Sequence, residues 1–262
     1  MDLPRKATLE LAMLASPVVE LRQYTLKPGM RETLIDIFDG KLIYGQEEAG
    51  MTIIGQFRDL DRPDMFVWLR GFEGMDARRD ALAAFYGGPV WAAHSNAANA
   101  TMIDSDDVLL LKPAWLGRGF DLSGASRAGF SAREKPSPNK AVAGIVVIQI
   151  HHLRRGTEIG FASRFEVEMA PLMTAPAIRH LATFITEHAD NSFPRLPIRA
   201  GENVFISVTG FDSAEGHASH EAALAASPEW QAFWQAARPD LTKPTETLRL
   251  SPTSQSLVGW NS

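Results

Sequence analysis

Two periods of apolar and polar residues alternate along this chain. From Val18 to Leu26 the residues VVELRQYTL change character at every second position. This puts Val19, Leu21, Gln23 and Thr25 on one face and Val18, Glu20, Arg22, Tyr24 and Leu26 on the other. A period of two predicts a strand, which Lys27-Pro28-Gly29 closes with a turn. From Met30 the apolar positions fall four apart, at Leu34, Phe38 and Leu42, which predicts a helix with one buried stripe. MTIIGQFR from Met51 and MFVWLRGF from Met65 return to strand character, and DLDRPD between them makes a hairpin. DARRDALAAFY predicts a helix that Gly87-Gly88 ends, and Pro89 opens another, because proline fits a first helical turn. DDVLLLKP from Asp106 is the fourth strand. The order β-α-β-β-α-β is that of a ferredoxin-like unit, an antiparallel sheet with helices on one face.

The pattern then repeats. FVWLRGF at Phe66 returns as FISVTGF at Phe205, 139 positions on, and Pro89-x-Trp91 returns at the same offset as Pro228-x-Trp230. GIVVIQIHHL repeats the first strand, with Gly156 answering Gly29 at an offset of 127. At that offset Phe161, Phe165 and Met169 answer Leu34, Phe38 and Leu42, and Phe184 answers Phe57. The growth of the offset from 127 to 139 places extra residues in a longer hairpin loop around NSFPRLPIRAGEN. A period above one hundred residues describes paired domains rather than a solenoid. The expected organisation is an N-terminal extension at 1–16, a first repeat at 17–112, a linker at 113–140 and a second repeat at 141–262. The linker aromatics Trp115, Phe120 and Phe130 suggest that it packs across the sheets.

The fold class is α+β: two tandem ferredoxin-like (βαββαβ) repeats packing sheet to sheet as an α+β barrel, with the helices outside. Val19 and Leu21 suit the helix side, so the mixed face of Glu20, Arg22 and Tyr24 is assigned to the space between the sheets. Phe66, Trp68 and Arg70 share that character on the third strand, as do Val147, Gln149 and His151 in the second repeat. A cavity lined by Tyr24, Phe66, Trp68, Arg22, Arg70, Gln149 and His151 would suit a small apolar ligand with an anionic or carbonyl group. The competing reading is that these charges reach water or pair with Glu20.

Composition narrows the chemistry. The net charge of −5 gives no footprint for nucleic acid, and no apolar run is long enough to span a membrane. The absence of cysteine removes disulfides, thiolate metal sites and a cysteine nucleophile. The N-terminus fits neither a secretory signal nor a transit peptide, so a cytoplasmic location is expected. His151 and His152 are neighbours on a strand and face opposite sides. His217 and His220 lie three apart on a helix, and a solvated face is the expected reading over a metal pair. No dinucleotide, P-loop, zinc-protease or nucleophile-elbow motif occurs, so neither a metal nor a cofactor is expected.

VVELRQYTLKPG, the hairpin IIGQFRDLDRPDMFVWLRGFEGMDAR, the small-residue helix leading to Tyr86 and Pro89-x-Trp91 together resemble the NIPSNAP family, within the dimeric α+β barrel superfamily. The resemblance covers the first repeat. The second keeps Gly210-Phe211 and Pro228-x-Trp230 but carries Gln149 and His151 in place of Arg22 and Tyr24. What the resemblance implies is a tandem ferredoxin-like barrel; it implies no reaction. The function expected is a protein of undefined activity that binds a small apolar or aromatic ligand between the sheets. The alternative is a cofactor-independent monooxygenase or isomerase acting on a small aromatic or carbonyl substrate. In that reading Tyr24 or His151 moves a proton and Arg22 or Arg70 steadies an oxyanion. Haem binding through a histidine is a third reading. A homodimer through outer edges or helices is a further candidate.

Overall fold

The computed structural model describes residues 16–125, 127, 144–173 and 178–258. Phe130 and nearly all of the N-terminal extension lie outside the described residues. The first repeat runs β1 (Val18–Leu26), α1 (Arg31–Ile37), α2 (Ile43–Glu48), β2 (Thr52–Asp59), β3 (Met65–Phe72), α3 (Met75–Gly87), α4 (Pro89–Thr101) and β4 (Met102–Pro113). The second runs β5 (Ile145–His152), α5 (Glu158–Arg164), β6 (Ile178–Thr186), β7 (Val204–Phe211), α6 (Ala214–Ala226), α7 (Pro228–Ala237) and β8 (Glu246–Pro252). A π-helical turn continues the first helix of each repeat, at Phe38–Leu42 and Phe165–Met169, so the 127-residue offset holds even for this irregularity. No helix among the described residues is long and apolar enough to cross a membrane.

The eight strands close into one barrel in the order β1-β3-β2-β8-β5-β7-β6-β4. Each repeat contributes an antiparallel four-stranded sheet, and the two sheets join at both edges. β2 meets β8 through Phe57–Pro252, Arg58–Ser251 and Asp59–Leu250. β4 meets β6 through Pro113–Phe184, Lys112–Ile185 and Leu111–Thr186. These are the same pairings under the two offsets, so the junctions are equivalent by pseudo-symmetry. Each ends on a proline, which has no N–H to extend a ladder. Closure pairs the edge strands of the two sheets with each other.

An eight-stranded barrel is just wide enough for side chains to fill. Val19, Leu21, Val67, Leu69, Val146, Ile148, Ile206 and Val208 belong to one buried apolar cluster there, with Phe57, Phe184 and Leu250. Phe120, from the segment after β4, enters the same cluster with its ring 5.4 Å from that of Phe184. Trp115 packs beside the second repeat's helices. Both described linker aromatics therefore pack on the fold. Gly71 lies on this interior face, where an added Cβ would collide with Ser16.

The barrel interior reverses one expectation. Val19 and Leu21 face the barrel core, while Tyr24, Phe66 and Trp68 cluster with Leu34, Phe38, Leu42 and Phe85 beneath the helices. A filled barrel needs compact aliphatic side chains from both sheets. The helix layer of the first repeat takes the large rings and charges because its helices bring the matching partners. The space between the sheets is therefore not where the mixed face points.

Candidate functional site

Three arginines converge on one carboxylate in the helix layer of the first repeat. Glu20 Oε2 accepts from Arg22 Nη1 at 2.7 Å and from Arg70 Nε at 2.8 Å. Its Oε1 accepts from Arg78 Nε at 2.6 Å. Glu20 and Arg70 are direct cross-strand partners in β1 and β3, and Arg78 descends from α3. Glu20, Arg22, Arg70 and Arg78 are all buried. Burial alone would raise the Glu20 carboxyl, but the charges of Arg70, Arg22 and Arg78 outweigh it and hold it far below the usual carboxylate range. Pairing with Glu20, the competing reading of these charges, is what the structure shows.

Arg22 and Trp68 are also cross-strand partners, with the guanidinium 5.5 Å from the indole centroid. Arg70 lies 5.1 Å from the same ring, so Trp68 carries two cations. Arg22 Nε donates to the Tyr24 hydroxyl at 3.1 Å. Burial raises the Tyr24 phenol above its ordinary value against the pull of Arg22, so it stays protonated. Arg70 Nη1 donates to Gln46 Oε1 at 3.3 Å, and the Arg70 guanidinium lies 6.0 Å from the Tyr86 ring.

Over this network lies a small cavity of about 20 Å³, lined by Tyr24, Leu34, Phe38, Leu42, Gln46, Trp68, Phe85, Tyr86, Trp91 and Met102. Phe38 packs its ring 4.7 Å from Trp68, and Tyr86 packs 4.9 Å from Trp91. The Trp68 indole N–H is buried without a hydrogen-bond acceptor among the described residues. Tyr86, Trp91 and Met102 are half-buried and form the outer rim.

The second repeat reaches this site through its longer loop between β6 and β7. Phe193 stacks on Tyr86 at 6.2 Å, and Leu196 and Ile198 pack against the same cluster. Arg78 Nη1 donates to Asn191 Oδ1 at 2.9 Å and to Ser192 Oγ at 3.1 Å. The loop is thus a cover for the first repeat. The offset change located the added residues, but only the fold shows where they land.

Of the candidate residues, Arg22, Tyr24, Phe66, Trp68 and Arg70 come together, with Phe66 5.3 Å from Phe38 in the same aromatic layer. Gln149 and His151 do not join them. They occupy the corresponding positions of β5, in the second repeat's own helix layer, where the Ser207 hydroxyl meets Gln149 Oε1. His151 sits among Phe161, Phe165, Phe205 and Trp234, with Nδ1 2.9 Å from Thr245 Oγ1. Burial pushes it down to about 3, so it is a neutral core side chain. The single cavity expected to hold both Tyr24 and His151 is therefore not formed. Sequence reading missed Glu20 as the hub, Arg78, Gln46 and Tyr86.

The helix pair His217 and His220 is also corrected. His217 is buried with its ring 4.8 Å from Phe211 and Nε2 3.4 Å from Glu221, so it does not form a solvated face. Among the described residues no group of three candidate ligands could hold a metal ion.

The network has no counterpart across the pseudo-twofold. Val147, Gln149, Thr209 and His217 stand where the first repeat has Glu20, Arg22, Arg70 and Arg78.

Comparison with known proteins agrees with this division. Residues 19–116 match the NIPSNAP family model. No curated protein matches the chain. Among solved structures, a proposed monooxygenase from Lactobacillus acidophilus superposes with a TM-score of 0.53 at 13% identity, covering 93% of this chain and 99% of its own. An anthrone oxidase-like protein superposes with a TM-score of 0.56 at 12% identity, covering 93% and 95%. An uncharacterized NIPSNAP-like domain protein from Burkholderia xenovorans is 26% identical over 45% of this chain and 91% of its own, with a TM-score of 0.37. The first two are neighbours in fold across both repeats. The stretch that matches the NIPSNAP family model, residues 19–116, is thus built as the first half of a tandem ferredoxin-like barrel.

Proposed function

We propose that this chain binds a small aromatic molecule in the cavity beneath the helices of the first repeat. The observation that carries this reading is the cavity wall: Tyr24, Phe38, Trp68, Phe85, Tyr86 and Trp91 converge there, backed by buried arginines. Apolar walls with a few fixed polar groups are the usual makeup of a ligand site. The space of about 20 Å³ holds little more than a water-sized group as it stands. Met102 on the rim is an unbranched, adaptable side chain, and its displacement would admit a ring. Saturation-transfer NMR with toluene tests the reading. The wild type is expected to give transfer and Met102→Trp, which plugs the rim, to lose it. Equal transfer in both proteins would place the binding elsewhere and sink the assignment.

A second, catalytic reading rests on the Tyr24–Arg22 pair. The Tyr24 hydroxyl accepts from Arg22, which leaves its own proton to be donated to a bound carbonyl oxygen. The fold neighbours named as a proposed monooxygenase and as anthrone oxidase-like make oxygenation of a small aromatic substrate the activity to assay first. Oxygen uptake that Tyr24→Phe abolishes would support it. Uptake untouched by Tyr24→Phe and Arg22→Met would remove these residues from any such reaction.

A further inference from the structure

We infer that the ligand of this cavity is an anion whose negative oxygen sits against Tyr24 and Trp68. The inference rests on the cavity reading above and narrows it to aromatic carboxylates and phenolates. Its first support is a charge imbalance. Arg22, Arg70 and Arg78 share one carboxylate, Glu20, and among the described residues no second carboxylate forms an ion pair with any of the three. The remaining acceptors on Arg22 and Arg78 are neutral: the Ser105 carbonyl, the Tyr24 hydroxyl, Asn191 Oδ1 and Ser192 Oγ. A buried cluster with two surplus positive charges is costly in a medium of low dielectric, and an anion held beside it removes that cost.

The second support is independent of charge. The Trp68 N–H is buried without an acceptor among the described residues, although indole is a donor only and buried donors are nearly always paired. The Tyr24 hydroxyl has a lone pair engaged by Arg22 Nε, which turns its proton toward another acceptor. Both residues line the cavity, and the Arg22 and Arg70 guanidinium groups lie over the Trp68 ring, 5.5 and 5.1 Å from its centroid. The wall therefore offers donors backed by cations. A ligand oxygen carrying negative charge satisfies both at once, whereas a hydrocarbon satisfies neither. In the second repeat Ser207 and His151 stand at the positions of Trp68 and Tyr24, and Gln149 and Thr209 replace the arginines. Anion binding is thus a property of the first repeat alone.

Benzoate and toluene are ring-matched probes that separate the two readings, measured by calorimetry or saturation-transfer NMR on the full chain. Benzoate is expected to bind at least about tenfold more tightly than toluene, and Trp68→Phe and Tyr24→Phe each to weaken benzoate by about tenfold, the scale of one hydrogen bond to a charged group. Far-ultraviolet circular dichroism and urea midpoints close to those of the wild type report that both variants are folded. Toluene bound as well as benzoate would overturn the anion and leave the cavity reading standing. Benzoate affinity unchanged in both variants would overturn the seat assigned to it. Binding of neither probe to the wild type would overturn the cavity reading and this inference with it.

Discussion

Arg78 donates to Glu20 across 2.6 Å, and this single contact joins helix α3 to the inner strand β1. The same guanidinium extends to Asn191 and Ser192, so three elements from both repeats meet on one side chain. Burial lowers the Arg78 guanidinium from its ordinary value while Glu20 opposes the shift. The pair therefore exists because each partner offsets the desolvation of the other, as a buried ion pair must.

Glu20→Gln should accordingly be severe. It keeps the shape of the side chain but leaves three buried guanidinium groups with no counter-charge. Breaking such a pair costs about 3–5 kcal/mol. A urea titration followed by circular dichroism reads the loss directly. A midpoint within error of the wild type would mean that the arginines are solvated rather than buried.

Replacing the whole network should cost less than breaking it. A variant carrying Glu20→Leu, Arg22→Met, Arg70→Met and Arg78→Met removes every charge together and keeps most of the packed volume. Apolar replacement of a complete buried ionic set is often neutral or stabilising. The fold itself offers a precedent, since the second repeat closes the same layer around Val147 without the ionic set. We expect the fourfold variant to unfold at higher urea than Glu20→Gln. The opposite order would show that the ionic set holds the layer together beyond its charge balance.

These variants also mark how far the sequence could be read. Strand periodicity placed β1 and β3 residue for residue, and the two offsets placed the second repeat, because a duplicated core must repeat its spacing. The face assignment failed for a physical reason. Period-two alternation separates two faces but does not say which is inside when one is aliphatic and the other mixed. Charge on a strand suggests a cavity between sheets, whereas Arg70 and Arg78 here converge on Glu20 under a helix. The DARRDAL helix held the clue, since Arg78 lies one turn from the buried Leu82 on the same helical stripe. The landing of Asn191 and Phe193 on the first repeat involves contacts across more than one hundred residues, which no local pattern encodes.

His151 should make the protein acid-sensitive. Its folded value is depressed from 6.5 to about 3, so the fold keeps the ring neutral. Between those limits the unfolded chain takes up a proton that the folded chain refuses. Stability is therefore complete above pH 6.5 and falls as pH drops toward 3, by about 1.4 kcal/mol for each pH step of one at the steepest. His180, lowered to about 4, adds to the same loss. His151→Phe, a ring that suits the surrounding aromatics, should flatten the decline of melting temperature between about pH 6.5 and 4.5. An unchanged slope would show that His151 titrates normally in the fold.

Asp39 should act with the opposite sign. It lies buried in the π-helical turn after α1, where burial pushes its carboxyl from 3.8 up to about 6, against a hydrogen bond from Thr253. Between those values the folded chain holds a proton that the unfolded chain has lost, so this contribution is full below pH 3.8 and disappears as pH rises through 6. At neutral pH the protein carries a buried carboxylate, one of whose oxygens has no hydrogen-bond partner among the described residues. Asp39→Asn keeps the size and an acceptor for Thr253 but cannot ionise. It should raise stability at neutral pH by up to about 3 kcal/mol, since a tenfold change in proton affinity between folded and unfolded chain is worth about 1.4 kcal/mol. The gain should shrink to nothing near about pH 4, where the native carboxyl is itself protonated. Urea midpoints of both proteins at about pH 7 and about pH 4 decide the matter. A gain of equal size at both would trace to packing, and a loss at neutral pH would mean that Arg58 and Arg127 hold Asp39 as a stabilised anion.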